Sequence, residues 1–417
     1  MQSTTAHWNL SQRIIFRFIF LLLLLFIIFF NNGVFPLMPL LMKYPLAFLH
    51  EFIPWIGRHI LALPNEITSF TNGSGDTTYD YLVLLFITFC SVLGALIWTA
   101  IDRKALNYNN LFYWLTVAVR FYVGIMLIHY GAVKVIKLQF PSPSFSRLTQ
   151  AYGESSPMGL AWTFLGFSKG YNLFMGIAEL MAGLLLFRKT VTIGAFLTLM
   201  TAVNIMAVNY FYDVPVKILS TALVLMCLFL LAPNVGRLFK LFFAGEAVKL
   251  RTLVVPVSAK KWLRGAKYSL KVLIILFIVS ANISVTLKNR QIYGDYAPKS
   301  PLYGAYTIDS IKGAEHSETR KWKVLMMEGQ KYSVIKFKGE GIAYCDVETD
   351  TIKKIVSFVY SKDFKNPQIF HYVVTDPDHL VLKGKFANDS VVVELTKMRF
   401  PLIDRGFNWV NERPFNR

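Results

Sequence analysis

Residues 111–136 read LFYWLTVAVRFYVGIMLIHYGAVKVI, an apolar run that carries Arg120 and Lys134 in its interior. A helix crosses the hydrocarbon of a bilayer with about 20 predominantly apolar residues, so this stretch places two cations where water is scarce. Six further runs have comparable length and apolarity: Phe16–Phe30 with its flanks, Tyr81–Ile101, Tyr171–Phe187, Val191–Phe211, Val214–Ala232 and Lys271–Leu287, the last started from about Ala266. The 417-residue chain is 54% hydrophobic and 17% charged, with mean hydropathy +0.44. Soluble domains carry about 25% charged residues, so a purely soluble protein is excluded. Its three cysteines, Cys90, Cys227 and Cys345, form no CxxC pair, which excludes a disulfide framework, a thiol relay and a Cys-rich zinc site.

The first run opens with Arg13 and Arg17 but is followed by Asn31-Asn32-Gly33-Val34-Phe35-Pro36, not by a small-residue cleavage site. It reads as an uncleaved anchor. Lys and Arg in short loops orient spans toward the cytoplasm. Here they fall at Arg13/Arg17, Arg103/Lys104, Arg188/Lys189 and from Arg237 to Lys271, while the alternate loops carry Glu51, Glu66, Asp76, Asp80, Glu154 and Asp213. This alternation predicts a cytoplasmic amino terminus and a carboxy-terminal domain outside the cytoplasm. The net charge is +19, of which +14 lies in residues 1–287 and +5 in residues 288–417. Most of it therefore orients spans and meets membrane lipids. No nucleic-acid-binding module accompanies it, so a nucleic-acid partner is not expected. Residues 34–64 hold Pro36, Pro39, Pro45, Pro54 and Pro64, and read as an interfacial or re-entrant segment with Tyr44 and Trp55 at headgroup depth.

From Tyr303 the period changes. Tyr303–Ser310, Trp322–Met327, Tyr332–Phe337, Ile342–Val347, Ile352–Tyr360, Ile369–Val374, Leu380–Phe386 and Val391–Leu395 are short alternating runs. They are separated by turn signals such as Glu328-Gly329-Gln330, Gly339-Glu340-Gly341, Asp376-Pro377-Asp378 and Asn388-Asp389-Ser390. The pattern predicts an antiparallel meander closing into a small, lipocalin-like barrel, either packed solid or holding a small apolar ligand. His371 and His379, with Asp376 and Asp378 between them, read as solvated loop residues rather than metal ligands, because a metal needs three or four donors converging from one face. Cys345 reads as a buried free thiol. The fold class is thus an α-helical membrane protein of about seven spans plus an antiparallel β-barrel-like domain. Its segments are 1–109 (two spans and the interfacial stretch), 110–235 (a four-helix bundle), 236–290 (basic loop and seventh span) and 291–417 (the β-domain).

A charge at bilayer depth is costly and marks a functional candidate. Arg120 lies about ten residues into the third span and Glu179 about nine into the fourth, so both fall near mid-depth at 1.5 Å per residue. An Arg120–Glu179 ion pair is predicted, either functional or simply setting helix register. Gly124, Gly131, Gly176 and Gly183 allow those two helices to approach closely. Lys134 shares a face with Arg120. Asn204, Asn209, Asp213 and Lys217 are placed around it as an outward-opening polar cavity, with His129 half a turn away. The alternative makes Lys134, Asp213 and Lys217 interfacial snorkelling residues.

Residues 110–235 resemble the DoxX family of small four-helix membrane proteins. The likeness rests on the arginine in the first helix, on Gly131 and Lys134 at its end, and on Gly-Ile-Ala-Glu-Leu-Met-Ala-Gly-Leu-Leu-Leu (176–186) in the second. The resemblance implies a quinone-linked redox or redox-homeostasis role, with quinone as the cofactor and a redox protein as partner. A more distant likeness, to the membrane domain of vitamin K-dependent carboxylases, implies Lys134 as a catalytic base toward a quinol. Three functions follow: a quinone-linked redox protein, a non-enzymatic envelope protein whose external β-domain binds a lipid or a protein, and a solute transporter.

Overall fold

Asn9 starts the first helix by local chemistry. Its side chain accepts the Gln12 N–H at 2.8 Å while Gln12 Oε1 accepts the Asn9 N–H at 3.0 Å, a reciprocal cap that satisfies two otherwise orphaned donors. The computed structural model describes residues 7–69, 75–252, 261–313, 321–339, 341–360, 367–386 and 389–416. Its helices are α1 (Leu10–Phe29), α2 (Met38–Leu41), α3 (Lys43–His59), α4 (Thr78–Ile101), α5 (Asn109–Val135), α6 (Phe145–Leu148), α7 (Pro157–Phe167), α8 (Lys169–Leu180), α9 (Val191–Phe211), α10 (Lys217–Leu231), α11 (Val235–Phe243), α12 (Lys261–Arg290) and α13 (Pro401–Asp404). Six helical segments among the described residues are long and apolar enough to cross a membrane: α1, α4, α5, α9, α10 continued through α11, and Tyr268–Arg290 of α12. The chain is a membrane protein.

The remaining predicted span is a broken helix. α8 stops at Leu180 and continues as a 3-10 segment, Met181–Leu186. Twelve α-helical and six 3-10 residues rise about 30 Å together, which is the hydrocarbon thickness. The proline-rich stretch 34–64 is more regular than its prolines suggest. Pro54 sits inside α3, whose buried Leu49, Ile53 and Gly57 fall one turn apart on a single face, while Tyr44, Phe48 and Trp55 are exposed. Pro54 removes one internal backbone hydrogen bond, yet α3 continues through it to His59.

The chain divides into two compact units, residues 1–139 with 170–286, and residues 140–169 with 287–417. In the first, α5 is central: Leu115, Val119, Tyr122, Val123, Met126 and Leu127 are all almost wholly buried, as expected of a helix enclosed by its neighbours. Arg17, read from the sequence as an orienting charge, is 1% exposed. It donates to Tyr108 Oη at 2.9 Å, Thr99 Oγ1 at 2.8 Å and the Asp102 carbonyl at 2.6 Å. The Tyr108 hydroxyl donates in turn to Asp102 at 2.8 Å and holds that carboxyl below the usual carboxylate range. This network satisfies a cation that burial would otherwise penalise.

The second unit is a closed barrel of eight antiparallel strands in sequence order, β8 closing on β1. They are β1 (Gly304–Lys312), β2 (Trp322–Gly329), β3 (Tyr332–Phe337), β4 (Ile342–Asp350), β5 (Ile355–Tyr360), β6 (Gln368–Asp376), β7 (His379–Phe386) and β8 (Asp389–Lys397). Each overlaps one predicted run. The turns centred on Glu340 and Asn388, and residues 253–260 of the basic loop, lie outside the described residues. The interior is filled rather than hollow: Trp322, Phe358 and Phe370 are wholly buried with ring centroids 6.0–6.2 Å apart. Cys345 is free and buried there, and burial pushes its thiol up to about 12, so it stays protonated and unreactive. His379 Nδ1 pairs with Asp376 at 2.8 Å across the exposed β6–β7 turn, a local bond within the hairpin.

Residues 140–169, expected within the four-helix core, pack instead with the barrel. Phe145 and Leu148 of α6 cover Ala305, Val324, Met326 and Val334 on the outer face of β1–β3. Ser146 donates to Glu328 through its N–H and its hydroxyl, both at 2.8 Å. That second burial explains why β2 reads Trp-Lys-Val-Leu-Met-Met rather than alternating cleanly: its apolar residues face both the interior and α6.

Candidate functional site: a buried ion pair between two membrane helices

α5 and α8 meet backbone to backbone. A Cβ on Gly131 would lie 2.8 Å from the Gly176 carbonyl oxygen and 3.1 Å from the Leu180 nitrogen, and one on Gly124 3.3 Å from the Ala182 oxygen. Small residues allow that approach. Gly131→Ala is expected to destabilise the protein by about 1–3 kcal/mol, since no backbone can yield; a denaturation series in mixed micelles measures it. The helix then stops by a Schellman turn. Leu138 N–H bonds the Val133 carbonyl and Lys137 N–H the Lys134 carbonyl, with Lys137 at φ +61° in the position usually held by glycine.

This register delivers Glu179 to Lys134. Lys134 Nζ lies 2.6 Å from Glu179 Oε1 and 2.9 Å from Oε2, with side chains 7% and 2% exposed. The Tyr130 ring centroid is 5.7 Å from the same ammonium. Asn172, Gly176 and Glu179 form the buried stripe of α8; Asn172 was not singled out from the sequence, although its spacing of four and seven residues from Gly176 and Glu179 puts it on their face. At 2.6 Å the contact is a charge-assisted hydrogen bond between two groups shielded from water.

The predicted Arg120–Glu179 pair is therefore corrected: Glu179 is bound by Lys134. By the glycine contacts Glu179 stands level with about residue 130, roughly 15 Å along the helix from Arg120. Side chains lean toward the helix N-terminus, which carries Lys134 toward Glu179 and Arg120 away from it.

The uncharacterized protein YwoB of Bacillus subtilis (strain 168) is 38% identical over 113 residues, covering 27% of this chain and 71% of YwoB. The chain belongs to the YwoB family. No family model matches it, and no solved structure matches it. A YwoB-like stretch of 113 residues leaves most of the 417-residue chain outside the shared region.

The other predicted site residues do not converge on the pair. Asp213 and Lys217 form an exposed i,i+4 salt bridge at 2.9 Å. Asn209 is buried and closes the α9–α10 turn, its amide donating to the Val216 carbonyl at 3.0 Å. Asn204 is exposed on α9. His129 stacks edge-on against Tyr130 at 5.8 Å, and its Nδ1 is buried without a hydrogen-bond partner among the described residues. Asp76, read only as a loop acid, accepts the N–H groups of Lys217 and Ile218 and so places a carboxylate at the start of α10, where the helix dipole favours it.

Proposed function

We propose that this chain is a DoxX-like, quinone-linked redox protein of a bacterial inner membrane, with the Lys134–Glu179 pair as the contact for a quinone headgroup. The reading rests on that pair: an ammonium and a carboxylate 2.6 Å apart, almost wholly buried in the membrane unit. A charge inside a membrane protein is a functional candidate by default. A bound quinone supplies two-electron, two-proton chemistry, its electrons coming from a redox partner protein. With a quinone bound, Lys134 Nζ would be the group that holds a proton toward its headgroup oxygen, an electrostatic stabilisation that burial strengthens. Glu179 orients the Lys134 side chain, and Tyr130 walls one side of it. Arg120 takes no part in this contact.

The proposed orientation puts the amino terminus in the cytoplasm and the barrel in the periplasm. It is supported by the basic loops and by residues 140–169 sharing a compact unit with residues 287–417, since both are assigned to the same side by charge. The reading as a non-enzymatic anchor is left with the outer surface of the barrel alone, because the interior is occupied by its own aromatic rings.

Quinone extracted from the full chain, purified from its membranes, is expected in near-stoichiometric amount. The neutral double variant Lys134→Met with Glu179→Gln is expected to lose it while remaining folded. A wild-type preparation without quinone, or a double variant that retains it, overturns the proposal.

A further inference from the structure

At the far end of the α5–α8 contact, three cations gather with no acid beside them among the described residues. Arg120 is 5% exposed, and its Nε and Nη1 are buried with no hydrogen-bond partner among the described residues. Its guanidinium carbon lies 5.4 Å from the Phe121 ring centroid, and Lys271 Nζ of α12 lies 5.6 Å from that ring and 5.6 Å from Phe187. Arg188, just beyond the 3-10 segment, stands close enough for its charge to act on both. Lys271 also donates to the Leu186 carbonyl at 2.5 Å, which ties the end of the 3-10 segment to α12.

The side chains that face this cluster offer no counter-charge. Among the described residues, Arg188 acts on both Arg120 and Lys271, Arg120 acts on Lys271, and the Tyr113 hydroxyl lies near Arg120. The chain contains no Asp or Glu between Glu246 and Asp295. Glu246 is engaged by Lys240 at 3.0 Å, and Asp102 belongs to the Arg17 network. A buried charge persists when it is paired and hydrogen-bonded, and among the described residues no acid is placed against these three cations.

We infer that Arg120, Lys271 and Arg188 bind a phosphate group, carried by an acidic phospholipid or free in solution. The guanidinium fork matches phosphate oxygens in pairs, and Lys271 adds a compact charge beside it. The location suits a headgroup. The 3-10 segment ends at Leu186, and the basic pair Arg188/Lys189 that follows is the kind of boundary charge that meets headgroups. Phe187, 58% exposed beside Lys271, offers an apolar surface to the acyl chain that would follow the phosphate.

The test titrates the full chain in neutral detergent with phosphatidylglycerol, phosphatidylcholine or sodium phosphate, read by native mass spectrometry and thermal unfolding. Phosphatidylglycerol is expected to bind about tenfold more tightly than phosphatidylcholine and to raise the unfolding temperature, an effect that salt weakens. Arg120→Gln and Lys271→Gln are each expected to lose about tenfold in affinity, the usual cost of one charge-assisted hydrogen bond. Lys271 is half-exposed, so its variant keeps the test informative if Arg120→Gln folds poorly. Protection by sodium phosphate equal to that of the lipid assigns the site to free phosphate; protection by the lipid alone assigns it to the headgroup. Equal binding of the two lipids with no response to phosphate, or two variants that respond as the wild type does, overturns the inference. Because the Lys134–Glu179 pair takes no part, this result is independent of quinone binding.

Discussion

Lys134→Ala, with Glu179 left in place, is expected to destabilise the protein by about 3–5 kcal/mol, the cost of a buried charge whose partner has been removed. Glu179→Ala should cost a similar amount for the same reason. The double change to neutral residues, Lys134→Met with Glu179→Gln, should cost much less than the sum, because no uncompensated charge remains and the volumes are nearly kept. The cycle closed by Lys134→Met and Glu179→Gln as the single variants, measured by unfolding in mixed micelles, reports this coupling directly. The same cycle run on Arg120→Ala and Glu179→Ala is expected to be additive, since roughly 15 Å separates their levels on the helices. Additivity in the first cycle and coupling in the second would refute the observed pairing. The outcome also bears on function, because a pair with strong coupling and no quinone would be a device for helix register alone.

Trp322→Ala in β2 is expected to cost about 3–5 kcal/mol, which is the range for deleting a buried aromatic side chain that leaves a cavity. Its ring is 0% exposed and touches those of Phe358 and Phe370 from two other strands. The barrel cannot collapse to fill the space, because all eight strands are held in one closed ladder. Hydrogen exchange of the barrel amides in the full chain is the measurement. Those protected by opening of the whole barrel should exchange roughly a hundredfold or more faster, at about 1.4 kcal/mol per factor of ten. Unchanged protection would mean that the interior is looser than its packing indicates.

The β-domain was the most legible part of the chain. Val391, Val393 and Leu395 alternate to one face in the sequence and all point into the core, because period two is a property of the extended backbone itself. β2 departed from that pattern, and the departure was informative: Val324 and Met326 are apolar on the outer face because α6 covers them. What fills the barrel was not legible. Three aromatic rings meet only after β2, β5 and β6 have been placed around one axis.

The membrane site was legible by residue and not by partner. Arg120, Lys134 and Glu179 stand out in any reading as charges within apolar runs, and hydropathy needs no tertiary information to find them. The exchange of partners came from register. Helix depth counted from loop ends carries an uncertainty of several residues, whereas Gly131 against Gly176 sets the α5–α8 level to within a turn. Arg17 failed in the opposite sense. It sits one turn from Arg13 and looks like an orienting charge, yet Thr99, Asp102 and Tyr108, more than eighty residues away, bury it.

By itself, then, the sequence determined which segments lie in the membrane, that a β-barrel follows them, and which few charges are out of place there. Those facts depend on transfer energies and local periodicity, which each residue carries with it. The tertiary structure alone decided that Glu179 belongs to Lys134, that Arg120 stands with two other cations, and that the barrel is packed. Each of these depends on how two surfaces distant in the chain come into contact, and close packing is a property of the pair rather than of either residue.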